Sequence, residues 1–277
     1  MDDGEGHCKG GAGILGETKV ICFANNKGGS GKSTTCANIG YSMAVLGKRV
    51  LLVDGDMQLN LSLSYFNEDE VLKMAQGEKN LYCAIKKQEE LGEYIVRTEY
   101  EGLDLVPSST LMSSIEYELF TRWQREFILK KSLAGIKESG KYDYILIDSP
   151  PTLGGWVMNI LCASERVVIP VEASPWGLFG LANMFEFLNT VKEMSPQLSL
   201  LGIAVTKVDE RKNYVKQTLE TLRNMGEEIH VFSSAIRVDS MVEWSQDNSK
   251  PVGAYKKSSR SAKEYMELTK EVIEIWQ

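Results

Sequence analysis

The stretch Asn26-Lys27-Gly28-Gly29-Ser30-Gly31-Lys32-Ser33-Thr34 lies between a short apolar run, Thr18–Ala24, and a helical pattern that begins at Ser33. Successive backbone N–H groups can curl around an anion only where glycines permit so tight a turn. A phosphate-binding loop also needs a lysine that neutralises the β- and γ-phosphates, and a hydroxyl that reaches Mg²⁺ at a helix N-terminus. Lys32, Ser33 and the glycines before them meet these requirements. This stretch therefore predicts a nucleotide-binding loop between a strand and a helix.

Strand-like and helix-like segments alternate along the chain from Thr18 onward. The strand-like segments are short and almost wholly apolar, as expected for strands that are buried on both faces of a parallel sheet. They are Thr18–Ala24, Arg49–Val53, Tyr144–Ile147, Val167–Val171 and Leu200–Val205, and the helix-like segments are Ser33–Leu46, Ser113–Glu138, Leu178–Glu193, Tyr214–Met225 and Ser258–Gln277. This βαβα order predicts an α/β fold with a doubly wound, mostly parallel sheet flanked by helices, in a single domain over residues 18–277.

Carboxylates follow two of the predicted strands: Asp54 and Asp56 come after one, and Asp148 after another. Doubly wound sheets bind their ligands at the carboxyl ends of the strands. Asp56 is a candidate for orienting the attacking water or taking its proton, and Asp54 could instead lie nearer the Mg²⁺ shell. Asp148 is a candidate for holding Mg²⁺ through a bound water. The competing interpretation of these acids is turn formation with solvated side chains.

The composition is that of an ordinary globular chain. Of its 277 residues, 43% are hydrophobic and 25% are charged, which excludes disordered, collagenous and coiled-coil chains. A net charge of −7 argues against a protein that coats nucleic acid by bulk charge. Cysteines without a Cys-x-x-Cys pair and the lack of a long apolar run favour a cytoplasmic protein with no membrane contact. The glycine-rich residues 1–17 are interpreted as a flexible leader or an artificial extension.

Several motifs resemble those of one family. Lys27-Gly28-Gly29-Ser30-Gly31-Lys32-Ser33-Thr34, with its second lysine ahead of the glycines, resembles the deviant Walker A box of the ParA/MinD ATPases. Val53-Asp54-Gly55-Asp56-Met57-Gln58-Leu59-Asn60 is similar to the ParA-type VDxDPQxN segment, with Met57 in place of its proline. Asp148-Ser149-Pro150-Pro151 resembles the DxPP strand end of the family, and Thr206-Lys207-Val208-Asp209 follows in the expected order. The resemblance extends over about residues 18–275 and implies a P-loop ATPase of the ParA type.

The resemblance implies an ATP-dependent dimerising switch that uses ATP and Mg²⁺. Two subunits enclose two ATP molecules, and Lys27 reaches the nucleotide of the partner, so that ATP binding and homodimer formation are linked. The implied nucleotide-binding residues are Lys27, Gly28, Gly29, Ser30, Gly31, Lys32, Ser33, Thr34 and Lys207; the implied catalytic residues are Lys27, Lys32 and Asp56; and the implied Mg²⁺ ligands are Ser33, Asp56 and Asp148. In the ParA branch the ATP dimer binds non-specific DNA on the nucleoid, and a ParB-like centromere-binding protein stimulates hydrolysis.

Two clusters of basic residues are candidates for the DNA contact, because phosphate binding needs several cations on one face. The clusters are Lys207, Arg211, Lys212 and Lys216, and then Lys256, Lys257, Arg260 and Lys263; the predicted DNA-binding residues among them are Arg211, Lys212, Lys216, Lys257 and Arg260. Arg211 has the spacing of an arginine that resembles the ParA-type DNA contact. Met241 stands where the family has a second arginine, and a solvated helix face is the competing interpretation.

Other branches of the family remain as alternatives. One positions a cargo other than DNA, and nothing in the sequence separates it from a partition ATPase. A MinD-like regulator that cycles on the membrane would carry a basic amphipathic tail, whereas glutamates offset the lysines of Ser258–Gln277. We therefore expect this terminal helix to dock on the core. Iron–sulfur carriers with a similar loop need paired ligand cysteines, but Cys83 and Cys162 stand alone.

Overall fold

The computed structural model describes residues 17–174, 176–225 and 229–276, so the predicted leader lies outside the described residues except for Glu17. The strands are β1 (Lys19–Phe23), β2 (Val50–Asp54), β3 (Val96–Arg97), β4 (Leu103–Val106), β5 (Tyr144–Asp148), β6 (Arg166–Glu172) and β7 (Ser199–Thr206). The α-helices are α1 (Lys32–Val45), α2 (Asn60–Leu63), α3 (Glu68–Gln76), α4 (Leu81–Lys87), α5 (Ile115–Phe120), α6 (Ile128–Ser132), α7 (Ala134–Ser139), α8 (Gly155–Ala163), α9 (Leu181–Met194), α10 (Asn213–Arg223), α11 (Ser240–Asp247), α12 (Val252–Tyr255) and α13 (Arg260–Ile275).

The strands form a seven-stranded sheet in the order β3-β4-β2-β5-β1-β6-β7. Every neighbouring pair is parallel except β3 and β4, which form an antiparallel edge. The predicted doubly wound, mostly parallel α/β fold is confirmed. In the register of the sheet, Asp148 lies beside both Phe23 and Asp54. The carboxyl ends of the central strands therefore bring the predicted acids to the loop that follows β1.

Helices cover both faces of the sheet. On one face, α1 and α13 pack over alternate side chains of β1, β2 and β5, and α4, α8 and α9 cover the opposite face. The terminal helix α13 buries Leu268 and Val272 completely and leaves Lys270 exposed. The predicted docking of this helix on the core is therefore confirmed. No helix in the described ranges has the length and apolar character needed to cross a membrane.

The chain differs from the sequence prediction between β4 and β5, where one helix was expected over Ser113–Glu138. The structure instead has the short helices α5, α6 and α7, with 3₁₀ turns before α5 and before α6. Gln124 has a φ of 50°, in the left-handed region that interrupts a right-handed helix. Ile115, Leu119 and Leu129 are buried on both sides of this break. In the sequence these three residues are spaced as on one face of a single helix, although the backbone turns at Gln124 between Leu119 and Leu129.

Candidate nucleotide-binding site

The loop after β1 has the backbone geometry of an anion-binding turn. Gly29 and Gly31 have φ values of 73° and 87°, in the left-handed region that favours glycine. Gly31 immediately precedes the first residue of α1, so the N–H groups of the first helical turn face the loop. Thr206, at the end of β7, donates a hydrogen bond from its Oγ1 to the carbonyl oxygen of Ser30 at 2.8 Å. The loop is thereby fixed against the neighbouring strand.

The two lysines of the loop lie in different places. Lys32 is 6% exposed, and its Nζ donates to the carbonyl oxygen of Lys27 at 3.1 Å, inside the curve of the loop. Burial lowers the pKa of Lys32, while Asp148 and Asp56 oppose this shift. Lys27 extends to the rim, where its Nζ donates to Glu172 Oε2 at 2.8 Å. One lysine therefore lies where the loop would hold phosphates, and the other is at its edge.

Asp56 is brought to the same site. Its side chain is 5% exposed, and Oδ1 accepts a hydrogen bond from the backbone N–H of Gln58 at 3.1 Å. Asp56 lines a cavity of about 950 Å³ together with Lys32, Ser33 and Lys207. The cavity is wide enough for a nucleotide, and a carboxylate at its wall can orient a water molecule.

Asp148 is completely buried, and neither of its carboxylate oxygens has a hydrogen-bond partner among the described residues. Burial and the neighbouring Asp54 raise the pKa of Asp148 well above its usual range. A buried carboxylate without partners is costly, and a divalent cation would remove that cost. Oxygen ligands are those that Mg²⁺ prefers, so the unpaired Asp148 and the nearby hydroxyl of Ser33 fit this ion.

Asp54, the alternative candidate for the Mg²⁺ shell, has another function in the structure. Its Oδ2 accepts hydrogen bonds from the backbone N–H of Ser62 at 2.9 Å and from the hydroxyl of Ser62 at 2.6 Å. Burial raises the pKa of Asp54 to about 6, and the bonds from Ser62 oppose the shift. Asp54 therefore anchors α2 and with it the segment that carries Asp56.

The remaining loop residues have individual contacts. Thr34 Oγ1 accepts a hydrogen bond from Nε2 of Gln246 at 3.0 Å, which joins α1 to α11. Lys207 has a φ of 54°, and its Nζ lies 3.9 Å from the point where a Cβ on Gly29 would stand. The predicted nucleotide-binding residues thus lie together, beyond the carboxyl ends of two strands. Those from Lys27 to Thr34 follow β1, and Lys207 follows β7.

Sequence reasoning missed three residues that shape this site. Asn25 Oδ1 accepts from the backbone N–H of Lys27 at 3.0 Å. Glu172 pairs with the side chain of Lys27, and Trp156 donates from Nε1 to the carbonyl oxygen of Gly55 at 2.9 Å. Glu172 ends β6. The rule that strand ends carry functional side chains could have identified it.

The predicted DNA-binding residues are all exposed, and two of the five are paired with acids. The side chain of Arg211 is 87% exposed and contacts Asp209 Oδ1 at 2.8 Å. Arg260 lies 3.8 Å from Glu264. Lys216 of α10 and Lys263 of α13 border the same groove of about 550 Å³, so the two basic clusters are adjacent. Within the described ranges, no carboxylate lies within 4.0 Å of the amines of Lys212, Lys216 or Lys257.

Comparison with known proteins identifies the family. The sequence profile of the AAA domain family matches residues 18–200. The sporulation initiation inhibitor protein Soj of Bacillus subtilis (strain 168) is 34% identical over 255 residues, which are 92% of this chain and 98% of that protein. The chromosome partitioning protein ParA of Caulobacter vibrioides (strain NA1000 / CB15N) is 31% identical over 257 residues, 92% of this chain and 94% of that protein. The chain belongs to the ParA-type partition ATPases.

A solved structure agrees with the fold and cofactors of this ParA-type ATPase. It is described as cobyrinic acid a,c-diamide synthase from Mycobacterium smegmatis with bound ADP and magnesium. The two sequences are 29% identical, and the two structures align with a TM-score of 0.75. The alignment covers 94% of the present chain and 95% of the synthase chain. The same protein is also known with an ATP analogue and magnesium. The ligands of that protein, ADP or an ATP analogue with magnesium, are of the kind that the sequence of this chain predicts.

Proposed function

We propose that this ParA-type ATPase is an ATP-dependent dimerising switch in DNA partitioning. The ATP-bound homodimer binds non-specific DNA, and a ParB-like partner stimulates hydrolysis and so releases the dimer. ATP in the loop is held by Lys32 and by the N-terminus of α1, while Mg²⁺ bound near Ser33 and Asp148 neutralises phosphate charge. Asp56 orients the attacking water and accepts its proton.

The separation of the two lysines carries this proposal. Lys32 lies inside the loop, whereas the Nζ of Lys27 is at the rim and contacts Glu172 rather than the loop interior. A cation at the rim can reach a nucleotide bound to a second subunit placed over the mouth of the site. Such a cation stabilises phosphate charge only in the dimer, so dimer formation depends on ATP.

DNA binding is supported by the amines of Lys212, Lys216 and Lys257, which have no carboxylate within 4.0 Å among the described residues, and by the exposed Arg211. Each phosphate contact releases counterions, so the affinity of the dimer for DNA falls steeply with salt. Pairing of Arg211 with Asp209 does not prevent this role, because an exposed ion pair is weak. Dimerisation places two such surfaces on one particle, which increases the avidity for a long polyanion.

A ParA-like function in positioning a non-DNA cargo is the second candidate. It is favoured by Met241 at the position of the family's second arginine, and by the acids Glu210, Glu264 and Glu267 on the groove that Lys216 and Lys263 border. These carboxylates repel the phosphates of DNA. Failure of the wild-type ATP dimer to retain random-sequence DNA, even at low salt, would favour this second function.

The test of the switch is sedimentation with ATP and Mg²⁺. We expect the wild-type protein to pass from monomer to dimer, and Lys27→Ala to bind ATP without dimerising. Lys32→Ala should lose ATP binding altogether, because the loop loses its buried cation. Normal dimerisation of Lys27→Ala would refute the trans function of this lysine.

The DNA contact is tested with Arg211→Glu against Arg97→Glu. Arg97 is exposed on β3, at the edge of the sheet opposite β7. Arg211→Glu should weaken the retention of random-sequence DNA by the ATP dimer and reduce the salt dependence, with no change in dimerisation. Arg97→Glu makes the same charge change and should retain DNA normally. Equal retention by both variants would remove Arg211 from the DNA surface.

A further inference from the structure

The ion pair at the rim of the nucleotide site involves Lys27, the residue that the proposed ATP dimer needs. Lys27 Nζ lies 2.8 Å from Glu172 Oε2 and 3.4 Å from the hydroxyl of Ser174, both of its own chain. The side chains of Lys27 and Glu172 are 28% and 32% exposed, so the pair is neither deeply buried nor fully solvated. Two of the three N–H donors of the Lys27 ammonium are thus directed to its own chain, and contact with a nucleotide on another subunit competes with them.

The backbone around the pair fixes its geometry. Asn25 Nδ2 donates to the carbonyl oxygen of Pro170 at 2.7 Å, and Asn25 Oδ1 accepts from the N–H of Lys27 at 3.0 Å. The start of the loop is thereby connected to β6, the strand that ends at Glu172. Lys27 and, at longer range, Lys207 hold the pKa of Glu172 below its usual range, so this carboxylate is charged at neutral pH.

We propose that Glu172 is a positioning residue that retains Lys27 in its own subunit, and that this ion pair opposes dimerisation until ATP competes for the lysine. The proposal rests on the trans function of Lys27 proposed above. Two such pairs must break when two subunits associate, so their effect enters the dimerisation constant twice. A partly exposed ion pair changes an equilibrium by a factor of about two to five, and two pairs therefore change it on the order of tenfold.

Glu172→Gln is the direct test, because it removes the charge and keeps the shape. The dimerisation constant is measured by sedimentation equilibrium over a titration of ATP with Mg²⁺. We expect Glu172→Gln to dimerise on the order of tenfold more tightly than wild type at low salt, and the difference to shrink as salt screens the pair. Dimerisation equal to or weaker than wild type would overturn the proposal.

Glu165→Gln is the matched control. Glu165 pairs with Lys137, and the side chains of Glu165 and Lys137 are 22% and 31% exposed. Glu165 precedes β6, at the end of the strand opposite Glu172. The control removes the same charge from a similar ion pair, away from the nucleotide. We expect its dimerisation to equal that of wild type, and a gain as large as that of Glu172→Gln would overturn the proposal.

A double-mutant cycle distinguishes release of Lys27 from simple removal of an anion near ATP. In the Lys27→Ala background, Glu172→Gln should change neither ATP affinity nor residual association, because no lysine remains to be retained. A gain that persists in this background would overturn the proposal. If Lys27→Ala alone loses the dimer and Glu172→Gln behaves as wild type, only the positioning function fails. If Lys27→Ala dimerises normally, the trans lysine of the proposed switch fails with it.

Discussion

Thr206 shows how one hydroxyl outside the phosphate loop shapes the loop. Its bond to the carbonyl oxygen of Ser30 joins the end of β7 to the turn, and its side chain lies 3.4 Å from the point where a Cβ on Gly31 would stand. A residue other than glycine at position 31 would therefore contact Thr206 in addition to adopting an unfavourable φ. The loop geometry thus depends on a strand that is distant in sequence.

We expect Thr206→Val to weaken ATP binding about tenfold, because the carbonyl oxygen of Ser30 loses its donor while the side-chain volume is kept. Thr206→Ser retains the hydroxyl and should bind ATP within about twofold of wild type. Isothermal titration with a non-hydrolysable ATP analogue and Mg²⁺ measures both affinities. Equal affinities of the two variants would show that the bond does not organise the loop.

Asp56→Ala tests whether this residue is the catalytic carboxylate, as we propose. Loss of a general base lowers the rate of hydrolysis by about 10²- to 10⁴-fold, whereas the loop, Lys32 and Asp148 are unchanged. We expect ATP binding to persist and the ATP dimer to become long-lived. Phosphate release in single-turnover conditions measures the rate, with Asp69→Ala, an exposed acid of α3, as the control. Hydrolysis by Asp56→Ala at the wild-type rate would place the catalytic group elsewhere.

At the scale of elements, the terminal helix α13 supports α1, the helix that begins at the phosphate loop. The helix begins at Arg260, where the side chain of Ser259 caps the N–H of Ala262. It packs along α1, and the first residue of α12 is joined to α1 by a hydrogen bond from the N–H of Val252 to Asn38 Oδ1 at 2.8 Å. Packing of α13 therefore stabilises the position of α1 and of the N-terminus that faces the nucleotide.

Leu268→Ala should lower the free energy of unfolding by about 2–5 kcal/mol, because it leaves a cavity in a completely buried part of α13. Lys270→Ala, on the exposed side of the same helix, should change it by less than about 0.5 kcal/mol. Urea denaturation followed by circular dichroism measures both values. A loss of similar size for the two variants would show that α13 does not pack as described.

At the scale of the molecule, buried carboxylates make stability depend on pH. Burial raises the pKa of Asp54 to about 6 and that of Asp148 well above its usual range, so the folded state binds protons that the unfolded state has released. The free energy of unfolding therefore falls as pH rises from about 4 towards neutrality. Asp143, whose pKa is lowered by Arg49, acts in the opposite direction, but only at lower pH.

We expect the nucleotide-free protein to be more stable at pH 5 than at pH 7, with Asp54 contributing on the order of 3 kcal/mol across its titration. Urea denaturation at each pH measures the slope. Asp54→Asn should flatten the slope, and Mg²⁺ with an ATP analogue should flatten it further because the cation favours the charged form of Asp148. Stability that rises from pH 5 to pH 7 would contradict this assignment.

The sequence predicted the glycine loop between β1 and α1 and the mostly parallel sheet, except for its edge strands β3 and β4, because glycines and short apolar strands are local signals. The α5–α7 region was predicted wrongly, since helical spacing of Ile115, Leu119 and Leu129 does not reveal the left-handed turn at Gln124. The contact of Lys27 with Glu172 joins residues 145 positions apart, and only the strand order brings them together. The functions proposed for Asp56 and Arg211 stay predictions.

The indole of Trp156 gives the site an intrinsic fluorescent reporter. It is 2% exposed and bonded to the carbonyl oxygen of Gly55, which lies between Asp54 and Asp56, whereas Trp123 and Trp176 are 86% and 73% exposed. A buried indole emits at shorter wavelength than a solvated one and resists collisional quenchers such as acrylamide. With the half-buried Trp276 replaced by phenylalanine, quenching of the exposed tryptophans would leave an emission that follows the segment beside Asp56 as nucleotide binds, without an attached dye.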